Sequence, residues 1–158
     1  MGLLTAEAIL GVSDLKTRTV PVPEWGGEIV LGEMSGLDRD DWDAALEARR
    51  SAERIAAAKE KRPVNALAGG EMHSARMLAW TARRPEGGDM FAVRKPGGRI
   101  DAAATEAVVE KLARRSGAVL DRLLEVALAL NGLGPKALDT AEGNSGGTPG
   151  DSPSGKPA

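Results

Sequence analysis

Asp38, Asp40, Asp41 and Asp43 form the densest group of carboxylates in this chain, and closely spaced hard oxygens are what Ca2+ or Mg2+ takes. A calcium loop also needs a glycine at its sharp turn and a distal glutamate, and neither stands at the required offset. Acids in a first helical turn are stabilised by the helix dipole, which accounts for the cluster without a cation. His73 is the only histidine, with Glu71 nearby; one imidazole without further ligands does not make a zinc site. Gly150 to Lys156 matches the G-x-x-x-x-G-K part of a phosphate-binding loop, but Pro157 replaces the Ser or Thr that would hold Mg2+. The absence of cysteine removes disulfides and thiolate chemistry and is compatible with a reducing compartment. No serine or threonine sits in a nucleophile-elbow sequence. The chain is therefore expected to be non-catalytic, with no metal and no cofactor.

The elements that carry these residues are legible from caps and periodicity. Ser35 and Asp38 have capping-box spacing, so a helix is expected from there to about Arg62, ended by Pro63. Its large apolar groups are only Trp42, Leu46 and Ile55, which predicts a largely solvated arm. A connection over Val64 to Gly70 precedes a helix expected over Glu71 to Arg84, with Met72, Ala75, Leu78 and Ala79 at helical spacing. Asp89 to Ile100, with its Pro96-Gly97-Gly98 reversal, reads as a second small ribbon or as a loop. Asp101 and Ser116 are caps for helices over Ala102 to about Arg115 and Gly117 to Leu130. In the last of these, Leu120, Leu123, Leu124, Ala127 and Leu128 match the i, i+3, i+4, i+7, i+8 stripe, while Val119, Val126 and Leu130 widen it. Either the domain wraps so wide an apolar face or another protein does, which makes Leu120, Leu123, Leu124, Ala127, Leu128 and Leu130 candidate partner-binding residues.

Near the N-terminus, Thr17, Thr19, Val20 and Val22 are strand formers. Pro21 and Pro23 cannot donate to a ladder, and Gly26-Gly27 permits a tight reversal into a second strand at about Glu28 to Glu33. Trp25 at this turn is expected to fold its indole over the ribbon as a buried anchor.

The chain has 158 residues, 42% of them hydrophobic, yet one Phe, three Trp and no Tyr leave the core to small aliphatics. At about 25 cal/mol per Å² of apolar area, an alanine-rich core predicts modest stability. Charge is uneven: residues 1–48 carry 10 acids and 3 bases, 49–99 carry 5 acids and 12 bases, and 100–158 carry 8 acids and 6 bases. No apolar run approaches the roughly 20 residues that span a bilayer and the start lacks a secretory signal, so a soluble, intracellular chain without membrane contact is expected. Residues 141–158 contain no large apolar side chain and are expected to be disordered. The expected architecture is α+β, mainly α: an N-terminal β-hairpin and a small helical domain within residues 1–140, then a Gly/Ser/Pro-rich tail over 141–158.

The hairpin string Val20-Pro21-Val22-Pro23-Glu24-Trp25-Gly26-Gly27-Glu28-Ile29-Val30 does not stand alone. Leu4 to Leu10 with Ser13-Asp14-Leu15 precedes it, and Met34-Ser35-Gly36-Leu37-Asp38 to Trp42 follows. Downstream, Leu112 to Leu123 runs on to Leu130-Asn131-Gly132-Leu133. Together these resemble the tail assembly chaperones of long-tailed, siphovirus-type bacteriophages, over roughly residues 1–48 and 103–134. Val22, Pro23, Glu24, Trp25, Gly26 and Gly27 are the structural fingerprint. Family members often carry a short acidic-glycine turn before the penultimate helix, where this chain has basic Arg94-Lys95-Pro96-Gly97-Gly98-Arg99. The resemblance implies a binding protein of the host bacterial cytoplasm that keeps the tape measure protein soluble, helps recruit major tail tube subunits, and is absent from the mature virion. It also implies a longer form of the same protein made by ribosomal frameshifting, as a further partner.

The competing class is a small nucleic-acid-binding or regulatory phage protein that uses the basic middle: Arg49, Arg50, Arg54, Lys59, Lys61, Arg62, Arg94, Lys95 and Arg99. That region lacks interleaved aromatics for base stacking and any recognisable reading helix, so nucleic acid is not the expected partner.

Overall fold

A computed structural model describes residues 2–134; the expected domain end at residue 140 and the tail over 141–158 lie outside them. The fold is α+β and mainly α. Helix α1 (Ala6–Leu10) leads to a hairpin of β1 (Thr17–Val22) and β2 (Gly27–Gly32), then α2 (Gly36–Glu60), α3 (His73–Thr81), a short β3 (Ala82–Arg83), α4 (Ala102–Leu112) and α5 (Gly117–Leu130). The sheet is antiparallel with order β1-β2-β3. Val20 and Val22 on β1 and Ile29 and Leu31 on β2 point inward by strand alternation and are buried.

The hairpin closes differently from a two-glycine reversal. Pro23–Trp25 form a single 3-10 turn, which proline's fixed φ favours, and Gly26 alone takes the left-handed conformation at φ 78°. Glycine is also needed at Gly32, where a Cβ would meet the Arg83 side chain 2.7 Å away. Pro21 is tolerated because β1 is an edge strand.

Helix α3 is the centre of the core: every residue from Ala75 to Thr81 is buried, with α4 and α5 packed on it. Trp80 meets Trp42 of α2 edge-on at 5.3 Å between ring centroids, and His73 meets Trp42 at 5.8 Å. The expected helix over Glu71 to Arg84 is shorter at both ends. Residues Ala82 and Arg83 leave it to pair with Leu31 and Val30, because an extended pair there completes the sheet and satisfies β2's outer edge. The stretch Asp89 to Ile100 is a loop held by isolated bridges between Arg83 and Asp89 and between Arg94 and Ile100. Helix α2 ends at Lys61 rather than Pro63: Lys61 turns left-handed at φ 54°, and the Arg62 N–H reaches back to the Ala57 carbonyl at 3.0 Å. Among the described residues no helix is long and apolar enough to cross a membrane.

Candidate functional site

The fingerprint residues form the tip of the hairpin. Val22 is buried beneath it, whereas Pro23, Glu24, Trp25, Gly26 and Gly27 are exposed. Trp25 is 39% exposed, so the expectation of a fully buried anchor is corrected. The indole stands partly in solvent at the hairpin tip. There it walls an open cleft with Glu24, Phe91, Leu112 and Arg115. What ties the tip to the helices is an ion pair: Arg122 of α5 donates to both oxygens of Glu24 at 2.8 Å. That hydrogen-bonded guanidinium holds the Glu24 carboxyl down at about 2.

The candidate partner face on α5 divides in two. Leu120, Leu123 and Ala127 are buried against α3 and the sheet, so they have no surface to offer in the folded chain, and their assignment to a partner site is corrected. The domain itself wraps this stripe because α5 lies against α3 on one side and against β1 and β2 on the other. Leu124, Leu128 and Leu130 are half-buried along the margin of the same core.

The C-terminal end of α5 carries a contact that periodicity does not reveal. Asn131 is buried; its Oδ1 accepts the Met34 N–H at 2.7 Å and its Nδ2 donates to the Ala127 carbonyl at 2.9 Å. Arg39 donates to its backbone oxygen at 3.1 Å. The Leu130-Asn131-Gly132-Leu133 step thereby locks the last helix to the junction of β2 and α2. Gly132 takes φ 65° and lets the Leu133 N–H bond the Leu128 carbonyl at 2.8 Å.

The acidic and basic stretches meet each other. Arg94 donates to both oxygens of Asp38, at 2.7 and 3.0 Å, and to Asp89 at 2.6 Å, while Arg99 donates to Asp41 at 2.6 Å. The Asp38 N–H still takes the Ser35 hydroxyl as its cap at 3.1 Å. The Arg99 hydrogen bonds hold the Asp41 carboxyl below its usual range. Burial pushes Asp89 up, but the Arg94 and Arg83 guanidiniums outweigh it and the net shift is downward. Arg94 and Arg99 of the basic turn are thus partnered within the chain. Of the basic residues that suggested nucleic acid, Arg54 and Arg62 are also paired, with Glu47 at 2.5 Å and Glu53 at 2.6 Å.

His73 is half-buried with its ring edge-on to Trp42; desolvation, then the charges of Arg76 and Arg49, lower its pKa. Buried Arg76 is fully engaged by Glu106, at 2.5 and 3.3 Å, and by the Glu71 carbonyl. Among the described residues no three His, Asp or Glu side chains converge as a metal-binding group. Compared with known proteins, the chain matches no family model, no curated protein and no solved structure.

Proposed function

We propose that this chain is a non-catalytic tail assembly chaperone of a long-tailed bacteriophage. In this reading it binds the tape measure protein in the host cytoplasm, keeps it from aggregating, helps bring in tail tube subunits, and leaves before the virion is complete. The observation that carries the reading is the exposure of Trp25 at the fingerprint turn, beside Phe91 and Leu112. A large aromatic held half out of water on a rigid turn is the kind of anchor that docks an apolar helix stripe. Repetition of such weak contacts along a long helical partner supplies avidity while leaving each contact easy to displace. The pairing of Arg54, Arg62, Arg94 and Arg99 with carboxylates supports a protein partner over nucleic acid.

The test is coexpression with a phage tape measure protein. The chain is expected to keep it soluble and to copurify with it, whereas Trp25→Ala is expected to fold normally and lose most of that activity. A tape measure protein that aggregates equally with and without the chain refutes the reading. Salt-dependent retention on DNA by the isolated chain would favour the nucleic-acid alternative.

A further inference from the structure

The open cleft at the hairpin tip joins an apolar floor to a charge that nothing in the chain answers. It has a volume of about 510 Å³ and is walled by Glu24 and Trp25 on the tip, Phe91 in the loop after β3, and Leu112 with Arg115 at the end of α4. Leu112 is buried, Phe91 half-buried and Trp25 partly in water, so the apolar side chains form a graded slope instead of a closed core. The two charged walls differ in kind. Glu24 has both carboxylate oxygens occupied by Arg122, whereas Arg115 is exposed and makes no ion pair among the described residues. The cleft thus presents an uncompensated cation beside aromatic and aliphatic surface.

Floor and charge are spaced as a helix spaces its side chains. The Arg115 N–H bonds the Leu112 carbonyl at 2.9 Å, which sets the two residues one turn apart. A partner helix offers the same interval, because its side chains at i and i+3 or i+4 stand about 5–6 Å apart on one face. A small anion would use Arg115 and leave Trp25, Phe91 and Leu112 wet. A purely apolar stripe would cover those three and press hydrocarbon onto Arg115, desolvating a charge without a counterion. An amphipathic helix whose apolar stripe is edged by a carboxylate answers both walls.

Resting on the reading of this chain as a chaperone for a helical partner, we propose that the cleft selects apolar helix stripes bearing Glu or Asp one turn from the docked apolar residue. That residue sits between Trp25 and Phe91 over Leu112, and the carboxylate meets Arg115. Arg115 is then the residue that determines specificity, while Trp25 is the anchor. The ion pair forms at a wet rim, so it contributes a modest factor and is screened by salt. It decides which stripe is taken, and the apolar contact supplies most of the attraction.

The test titrates the nitrogen-15-labelled full chain with synthetic end-capped amphipathic helices of about 20 residues, long enough to hold helical structure. The peptides share one leucine stripe and differ at a single position one turn after the central leucine, which is Glu, Gln or Lys. The indole N–H signal of Trp25, identified by its loss in Trp25→Phe, is expected to move as peptide is raised to millimolar concentration, while those of buried Trp42 and Trp80 stay in place. The expected order of affinity is Glu over Gln over Lys, with Glu ahead of Gln by about two- to fivefold at low salt and by less at about 0.5 M salt. Arg115→Gln is expected to erase the order and Arg115→Glu to invert it, each with an unchanged circular dichroism spectrum. Equal binding of the peptides, an order that Arg115→Glu leaves as it was, or a Trp25 signal that no peptide moves would each overturn the proposal. An arginine that only complements the α4 dipole gives the first of these, with Arg115→Gln lowering the melting temperature alone. Coexpression with a tape measure protein separates this inference from the reading beneath it. Solubilisation lost in Trp25→Ala but kept in Arg115→Glu, together with equal peptide binding, overturns the charge selection and leaves the chaperone. A tape measure protein that aggregates regardless, together with the expected peptide order, overturns the chaperone and leaves the selectivity of the cleft.

Discussion

Replacing Asn131 with alanine removes a single buried acceptor, and the structure lets the cost be apportioned. The Met34 N–H, bonded to Oδ1 at 2.7 Å in a buried setting, would lose its partner and have no water to replace it. An orphaned buried donor costs about 1–3 kcal/mol. The other side-chain bond is less consequential, because the Ala127 carbonyl keeps its helical bond from the Asn131 N–H at 3.1 Å. The Arg39 contact uses the backbone oxygen and survives the change. The expected loss is therefore about 2 kcal/mol, which at about 2–4 °C per kcal/mol for a chain of this size lowers Tm by roughly 4–8 °C. Asn131→Asp keeps the acceptor for Met34 but sets a carboxylate oxygen in place of the donor against the Ala127 carbonyl and buries a charge, so it should not be milder at neutral pH. Urea unfolding followed by circular dichroism measures both. If Asn131→Ala unfolds within about 0.5 kcal/mol of the parent at unchanged slope, the buried bond to Met34 is not what fastens α5 to the hairpin.

Trp25→Ala should cost only about 1–2 kcal/mol in the same measurement, well below the roughly 3–5 expected for a fully buried aromatic, because the indole is already 39% in water. For α5, Leu123→Asp is expected to abolish cooperative unfolding, whereas Leu124→Asp, on the half-buried margin, should leave a folded chain with a lower midpoint. Lys61 holds φ 54° on an exposed helix end; Lys61→Gly should raise stability by up to about 1 kcal/mol, and a decrease would mean that its side chain matters more than its backbone. His73 has its pKa lowered in the fold from 6.5 by desolvation and then by Arg76 and Arg49. The unfolded chain therefore binds the proton more readily, so this contribution is intact above about pH 7 and lost as pH falls through 6.5 and below. Stability profiles of the parent and of His73→Gln should diverge in that window, and parallel profiles would refute the assignment.

The helices were legible because their signals are local. Ser35 and Asp101 cap α2 and α4 with their side chains as expected, Ser116 precedes α5 without a side-chain capping bond, and the leucine stripe of α5 spans the observed Gly117–Leu130. What escaped the sequence depends on partners far along the chain. Ala82–Arg83 follow a helical pattern and become strand only because β2 offers an unpaired edge. Trp25 falls in a 3-10 turn instead of a two-glycine reversal, and the wide stripe of α5 exceeds one helix's need but not that of α3 and the sheet together. The candidate site was legible as a string and not as a surface: Val22 to Gly27 marked the turn, but nothing in their spacing announced Phe91 and Leu112 as neighbours.

The segregation of charge along the sequence has its physical reason in this same long-range packing. Acids at the start of α2 favour the helix dipole, but Asp38 and Asp41 also face the loop that bears Arg94 and Arg99, separated from them by more than fifty residues. The loop, which seats Ile100 in the core with Met90, Phe91 and Ala92 packed against it, is further fixed to α2 by charge-assisted bonds, of which the Arg94–Asp38 pair is bidentate and Asp38 is buried. These pairs close within the chain, so Arg94 and Arg99 are already occupied by carboxylates of α2. In the proposed function, recognition falls to the apolar surface that Trp25 presents on its cleft. Loosening the loop by Arg94→Ala should therefore lower the urea midpoint of the chain while leaving Glu24 and Trp25 at the hairpin tip in place, so folding and the proposed docking can be perturbed separately.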